Sequence, residues 1–401
     1  MINNKISIYV HWPFCLSKCP YCDFNSHVAF TTNHSLWLEA YKKELHYFDK
    51  VLEGKYIQSI FFGGGTPSLM EPSTVEGIIK EISKIGLVDD LTEITLETNP
   101  TSFEVSKFMK FRTAGVNRIS IGVQSLRASD LEVLGRQHDV NQAISSIEHA
   151  KKIFPRISFD LIYARHNQTL KEWQIELQEA MEIAAGHISL YQLTIEKGTL
   201  YYNMHKNKQI NLPLPEVAAD MYEWTTSFLN DKNYNRYEIS NYAQSKQESI
   251  HNLAYWNYNE YLGIGPGAHS RLRNFNQVNS NNNTVTSIMM KHKPEIWLTS
   301  VNNLSNGIQN CIQLTKQDII TEFFMMGLRL KKGINFADIK NTLNVNIYDV
   351  IDADKVNYYS DLGLVSVTED NICLTGKGLM LHNYLVPNLL LDVGDDFSSE
   401  T

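Results

Sequence analysis

The chain has 401 residues, 43% hydrophobic and 11% aromatic with 20 tyrosines, which excludes a disordered or fibrous chain and allows one large domain plus a small one. Its 36 basic and 44 acidic residues leave a net charge of −8, which argues against a general nucleic-acid-binding surface. No apolar run approaches the ~18–20 residues of a membrane-spanning helix, and Met1-Ile2-Asn3-Asn4-Lys5 has no signal-peptide profile, so the expected location is the cytoplasm.

In chain order, the first ~195 residues alternate short β-rich runs with amphipathic stretches. The predicted strands are Ile6–Val10, Ser59–Phe62, Glu93–Glu97, Arg118–Ile121, Ser158–Ile162 and His187–Leu193. Between them the spacing predicts helices over Leu36–Leu52, Ser73–Ile85, Phe103–Ala114, Asn141–Ile153 and Leu170–Ala185. Ser73 before Glu76 and Thr101 before Glu104 fit capping boxes. Six strand–helix alternations predict an α/β fold with a parallel sheet curved into a partial (β/α)6 TIM-like barrel.

Beyond residue 195 the pattern loosens. Asn274 to Asn283 is asparagine-rich and reads as an exposed loop. From Thr315 a compact unit is expected: helices near Asp318–Leu330, Phe336–Leu343 and Ile347–Leu362, then a hairpin of Leu364–Val367 and Ile372–Leu374. Three helices and a hairpin resemble a winged helix. Residues 315–401 carry 7 basic and 13 acidic side chains, a poor match to DNA, so the unit reads as a packing or partner-binding module. The expected division is a barrel over 1–240, an extension over 241–314, the winged-helix-like domain over 315–390 and a disordered acidic tail over 391–401.

Reactive groups in such a barrel belong at the C-terminal strand ends. The cysteines follow strand one, Gly63-Gly64-Gly65-Thr66-Pro67 follows strand two, and Glu97 ends strand three. Gln124 follows strand four, Asp160 sits in strand five and Gln192 in strand six. Six segments thus aim polar groups at one rim.

Of five cysteines, Cys15, Cys19 and Cys22 fall within eight residues, while Cys311 and Cys373 stand alone. A tight cluster in a reducing compartment points to a metal site. Zinc normally needs four ligands, often in two pairs, and no second pair exists here. A [4Fe–4S] cube on three cysteines leaves one iron open to a small chelating molecule.

The segment Tyr9-Val10-His11-Trp12-Pro13-Phe14-Cys15-Leu16-Ser17-Lys18-Cys19-Pro20-Tyr21-Cys22-Asp23-Phe24 resembles the cluster loop of radical S-adenosylmethionine (SAM) proteins, and more narrowly the oxygen-independent coproporphyrinogen III oxidase group. The resemblance spans roughly residues 5–385. It implies that Cys15, Cys19 and Cys22 hold a [4Fe–4S] cluster whose fourth iron is chelated by SAM, and that an electron from the cluster cleaves the sulfonium to a 5′-deoxyadenosyl radical. It further implies that Gly64, Gly65 and Thr66 approach the SAM amino group and that Tyr9 contacts SAM. The glycine turn lacks the Lys-Ser/Thr of a P-loop.

Other residues keep two readings. Glu97 can accept from a ribose or an ammonium, or cap and be solvated. Arg136, in family order with Gln124, pairs with a carboxylate or is a surface arginine. Asp160 in an apolar run must be bonded, for function or capping. Tyr21 stacks on adenine or shields the cluster. One departure concerns the loop after strand five: relatives commonly read Gly-Leu-Pro-Gly-Gln-Thr where this chain has Ala164-Arg165-His166-Asn167-Gln168-Thr169, which puts contacts there in doubt.

Within the resembled group, oxidases that decarboxylate coproporphyrinogen III compete with HemW-type heme chaperones. The chaperone is favoured by Phe24 where oxidases carry another cysteine, by only eight residues before Tyr9, and by His251-Asn252-Leu253-Ala254-Tyr255-Trp256, which matches the chaperones' His-Asn-x-x-Tyr-Trp motif. His251 reads either as a heme ligand, with Asn252, Tyr255 and Trp256 around it, or as a hydrogen-bonded core histidine, and His269 is a rival ligand that could instead touch SAM or substrate. The expected partners are heme and an acceptor protein, respiratory and membrane-associated, with a homodimer as one assembly.

Overall fold

The computed structural model describes residues 4–275 and 284–393. Six parallel strands form its centre: β1 (Lys5–Trp12), β2 (Tyr56–Gly64), β3 (Glu93–Thr98), β4 (Arg118–Gln124), β5 (Arg156–Tyr163) and β6 (His187–Gln192). They lie side by side in chain order, with Ile8 beside Ile60, Ile60 beside Ile94, Leu96 beside Ile119 and Ile119 beside Ile157. The reason is visible in β1. Ile6, Ile8, Val10 and Trp12 are buried on the face that meets the helices, while Ser7, Tyr9 and His11 alternate with them on the other. The barrel therefore has an apolar jacket and a polar lumen, with Ser59, Thr95, Ser120, Ser158 and Ser189 also buried.

The helices of the jacket are α1 (His34–Tyr47), α2 (Pro72–Ile85), α3 (Phe108–Thr113), α4 (Val140–Ile153) and α5 (Leu170–Ile183). Their ends differ from expectation in several places. The stretch to Leu52 breaks at Phe48, whose ring is fully buried and whose N–H turns back to Leu45. Ser73 is not a cap: Glu71 is the N-cap and Pro72 takes the first helical position, where a missing N–H is harmless. Thr101 does cap, accepting from Glu104 N–H, but the helix it starts ends at Val105, and α3 begins only at Phe108. Two reciprocal capping boxes lie elsewhere, Asp139 with Gln142 before α4 and Thr169 with Glu172 before α5.

The sheet continues past both barrel edges. Asn241–Ala243 (β7) runs antiparallel to β6, and Tyr261–Ile264 (β8) runs parallel to β1. His269–Arg273 (β9), Val285–Met290 (β10) and Ile308–Gln313 (β11) then add antiparallel strands beyond β8. Leu262, Ile264, Leu272, Ile288, Met290 and Trp297 belong to the same hydrophobic core as the barrel. Residues 276–283 of the asparagine-rich stretch and 394–401 of the tail lie outside the described residues.

The C-terminal unit has its own core around Phe323, Phe324, Ile339, Val356, Ile372 and Leu385. Its helices are α6 (Lys316–Gly327), α7 (Phe336–Leu343) and α8 (Ala353–Asp361), followed by the antiparallel pair Val365–Val367 and Asn371–Leu374. The helix expected from Ile347 is interrupted because Asp352 caps a new start at Ala353. The unit is joined to the barrel by Arg271–Glu322 at 2.6 Å, Tyr258–Glu322 at 2.9 Å and Arg329–Glu238 at 3.1 Å. No helix among the described residues is long and apolar enough to cross a membrane.

Candidate functional site

At the C-terminal ends of the parallel strands lies a cavity of about 500 Å³. Twelve of the residues singled out from sequence line it: Cys15, Cys19, Cys22, Tyr21, Gly64, Gly65, Thr66, Glu97, Gln124, Arg136, Asp160 and Gln192.

The three thiols each meet a different polar partner. Thr66 Oγ1 donates to Cys15 Sγ at 3.3 Å, Arg136 Nη1 to Cys19 Sγ at 3.4 Å, and Ser26 Oγ lies 3.8 Å from Cys22 Sγ. Burial pushes the Cys15 thiol pKa up, while the Thr66 hydroxyl acts in the opposite sense. Among the described residues no three ligating side chains converge tightly enough for a single ion. Three cysteine sulfurs on one cavity-lining loop are the donor chemistry of an iron–sulfur cube, whose ligands are thiolates.

The glycine turn is dictated by close approach. A Cβ on Gly63 would lie 2.8 Å from the Tyr9 ring, one on Gly64 2.5 Å from the His11 ring, and one on Gly65 2.7 Å from Phe14 O. Gly64 also has φ +112°, which side-chain-bearing residues rarely adopt. Gly65 N–H donates to Trp12 O at 2.6 Å and Thr66 N–H to Phe14 O at 2.9 Å, so the turn is stitched to the cysteine loop.

Two carboxylates form the polar wall. Glu97 Oε2 accepts from Gly64 N–H at 3.3 Å. Burial, then the nearby Asp160 charge, pushes its pKa up to about 8. Asp160, beside Ser120 Oγ at 3.5 Å, is pushed up to about 6, chiefly by burial. Gln124 sits at φ 69°, where β4 loses register with β5. Such a strained position is common at ligand sites.

Sequence reasoning missed Asn99 and Glu104, which also line the cavity. Asn99 Oδ1 accepts from Arg136 Nη2 at 2.6 Å, and its Nδ2 donates to Thr66 Oγ1 at 3.3 Å, linking two cysteine partners. Glu104 is 2% exposed, and burial raises its pKa to about 7 while Asn99 and Ser68 act in the opposite sense; its Oε2 has no partner at hydrogen-bond distance. Arg136 Nε is likewise buried without a partner. A guanidinium and a carboxyl group each with an unused polar atom in one cavity suit a ligand bearing both charges, as an amino acid moiety does. Reading Glu104 as part of a capping box hid it.

Tyr9, His251, Asn252, Tyr255, Trp256 and His269 are not brought to the cavity. Tyr9 lies beneath Gly63 with its hydroxyl 3.1 Å from His11 Nδ1. The motif His251–Trp256 falls on the short helix Ile250–Trp256, which plugs the opposite end of the barrel. The Ile250 and His251 N–H groups donate to Glu93 at 3.1 and 3.0 Å, and Arg156 pairs with the same carboxylate at 2.6 Å. His251 is 2% exposed and stacks on Phe61 at 4.8 Å. Its Nδ1 is 2.9 Å from Ser59 Oγ and its Nε2 3.2 Å from Tyr255 Oη, so both ring nitrogens are engaged. Burial lowers its pKa to about 3. Trp256 packs under the Arg329 guanidinium at 4.3 Å and faces the C-terminal unit.

The departed loop is rebuilt with charge. Ala164 and Asn167 hold φ 54° and 55°, torsions suited to glycine. Arg165 is buried, pairs with Asp130 at 2.6 Å and with Glu176, and donates to Ile162 O at 2.5 Å. Glu176 in turn accepts from Ser125 Oγ and Leu126 N–H, both at 2.7 Å, immediately after Gln124.

A cysteine-lined cavity at the C-terminal rim of a partial parallel barrel is the arrangement of the radical SAM superfamily, whose pattern matches residues 9–179, and the HemN C-terminal domain matches residues 314–381. Within that superfamily the chain belongs to the HemW family. It is 33% identical to heme chaperone HemW of Buchnera aphidicola subsp. Schizaphis graminum over 95% of this chain and 97% of that protein. It is 35% identical to the mitochondrial radical S-adenosyl methionine domain-containing protein 1 of Danio rerio, over 98% of this chain and 89% of that one. Among solved structures, the coproporphyrinogen III oxidase HemN of Escherichia coli superposes with a TM-score of 0.79 at 21% identity, covering 96% of this chain and 89% of that one, a likeness of fold.

Proposed function

We propose that the protein is a heme chaperone: it binds heme and passes it to an acceptor protein, and its barrel carries a [4Fe–4S] cluster and SAM. The observation that supports this reading most is the gathering of Cys15, Cys19 and Cys22 with Glu97, Glu104, Arg136 and Asp160 around one cavity, in a chain that aligns with HemW proteins along nearly its whole length. Cys15, Cys19 and Cys22 would hold the cluster. Arg136 Nε would take the SAM carboxylate, while Glu97, Glu104 and Asp160 would take its ammonium and ribose hydroxyls. The cluster with SAM supplies one-electron chemistry when bound. The chain's own part is to orient the ligand through the glycine turn and to exclude water with the buried wall.

Heme binding, the acceptor, a respiratory destination, a cytoplasmic location and a homodimer all belong to this proposal. The test is anaerobic reconstitution with iron and sulfide, EPR with and without SAM, then hemin titration of the same sample and transfer to an apo-acceptor. A cluster signal perturbed by SAM, together with heme binding, is expected. Turnover of coproporphyrinogen III would replace the chaperone reading with the oxidase one. A preparation that binds neither iron nor heme would end both.

A further inference from the structure

Four of the chain's 13 histidines gather on the outer flank of the cysteine loop, outside the cavity. Asn25 is their hub. Its carbonyl oxygen lies 2.9 Å from His11 Nε2, and its Oδ1 lies 3.1 Å from His27 Nε2. Its Nδ2 donates to Pro266 O at 3.0 Å and to His292 O at 2.9 Å. This staple ties the loop to the turn before β9, and Gly267 marks how tight it is. A Cβ there would lie 2.4 Å from Asn25 Nδ2 and 3.3 Å from His292 Nδ1.

His11 is buried and engaged by Asn25 and Tyr9. His269 and His292 are different: both are exposed, and neither ring hydrogen-bonds another described residue. The adjoining loop exposes an apolar patch in which Phe24 is 62%, Val28 50% and Phe30 83% accessible. Scattered apolar residues need no explanation, but three on one short loop beside free imidazoles do. Lys18, which with Phe24 also lines the mouth of the cavity, and Lys293, next to His292, are exposed there, with Glu295 as an opposing charge near His27.

Flat aromatic surface, a nitrogen donor and nearby ammonium groups are complementary to an iron porphyrin, which has an apolar macrocycle, an iron with open axial positions and two carboxylates. We propose that this flank is a heme-docking site, with the macrocycle against Phe24, Val28 and Phe30, an imidazole of His269 or His292 on the iron, and Lys18 or Lys293 at a propionate. The proposal rests on the heme-carrying reading above and adds where the heme sits. Partial burial lowers the His269 pKa, which keeps that ring neutral and able to ligate. His251, by contrast, offers no free nitrogen and no open face in this conformation.

The test is hemin titration of the full chain, followed by Soret absorbance and low-temperature EPR. The variants are His269→Ala/His292→Ala, Phe24→Ser/Phe30→Ser and His251→Asn, with circular dichroism confirming folding of each. The double histidine variant is expected to lose the imidazole-ligated spectrum and at least tenfold in affinity, and added imidazole should restore the spectrum. The aromatic variant should weaken binding severalfold without changing the ligand signature, and folded His251→Asn should bind as wild type does. Wild-type binding that survives both rim variants unchanged, or is abolished only in His251→Asn, overturns the docking site and leaves the chaperone reading standing. No binding by wild type removes both.

Discussion

Arg136 donates to the sulfur of Cys19 at 3.4 Å although the two residues are 117 positions apart. The same guanidinium holds Asn99 Oδ1 and Gly122 O, at 2.6 and 2.8 Å, and so ties the cysteine loop to two other strand ends. Replacing Arg136 with lysine keeps the charge and loses the fork. A charge-assisted hydrogen bond is worth about 1.5–3 kcal/mol, so Arg136→Lys should weaken SAM binding about tenfold or more. SAM titration of the reconstituted cluster by EPR checks this, and unchanged affinity would show that Arg136 does not touch the ligand.

Glu97 predicts a pH dependence. Its folded pKa, about 8, lies above the ordinary carboxylate range, so its protonated form is preferred in the free protein. The stability it contributes is complete below its unfolded pKa and is lost as pH rises through about 8. A cationic ligand selects the ionised form, so SAM affinity should rise between pH 6 and 8, by at most about tenfold per pH unit for one proton. In Glu97→Gln the rise should flatten, and its thermal midpoint should fall less than that of wild type on going to pH 8.5. Parallel pH profiles for the two proteins would refute the assignment.

Gly64→Ala should be far worse than a usual surface change. It combines a φ of +112° with a Cβ 2.5 Å from the His11 ring. The torsion alone costs on the order of 1–3 kcal/mol, and the clash adds to it. Urea midpoints would show the loss, while Gly54→Ala, at φ 69° with nothing within 4 Å, should cost only about 1 kcal/mol.

The Arg165–Glu176 pair offers a double-mutant cycle. Both side chains are buried, so Arg165→Leu leaves a carboxylate without its cation and should cost about 3–5 kcal/mol. Adding Glu176→Leu should recover part of that loss, although Ser125 Oγ and Leu126 N–H then lose their acceptor. Additive losses would mean that the two charges are not coupled.

His251→Ala removes a fully packed ring and leaves Tyr255 Oη without its partner at the barrel floor, while Ser59 Oγ keeps only its bond to Ser7 Oγ at 2.8 Å. A loss of about 2–4 kcal/mol in chemical denaturation is expected, independent of heme. No measurable loss would mean that the helix Ile250–Trp256 is not a structural plug.

Much of the fold is legible in local pattern. The alternation Ile6, Ile8, Val10 and the periodicity of Leu170–Ile183 each report one element's own geometry, which a neighbour cannot change. Strand ends carrying Cys15, Gly64, Glu97, Gln124 and Asp160 converge because a parallel barrel collects its βα loops on one side, so these five follow from order alone, whereas Asn99 and Glu104 do not. Illegible were the strands beyond residue 261 that join the barrel edge, since antiparallel pairing such as His269 with Met289 depends on register across a long loop.

What chain order alone established, then, is the architecture and the three-thiol loop, because backbone periodicity and cysteine spacing are properties of short segments. Packing from distant segments settled the rest: the raised carboxyls of Glu97 and Glu104, the bond from Arg136 to Cys19, and the enclosure of His251 by Ser59 and Phe61. Burial and charge are set by whatever surrounds a side chain in space, and those surroundings come from residues tens to hundreds of positions away.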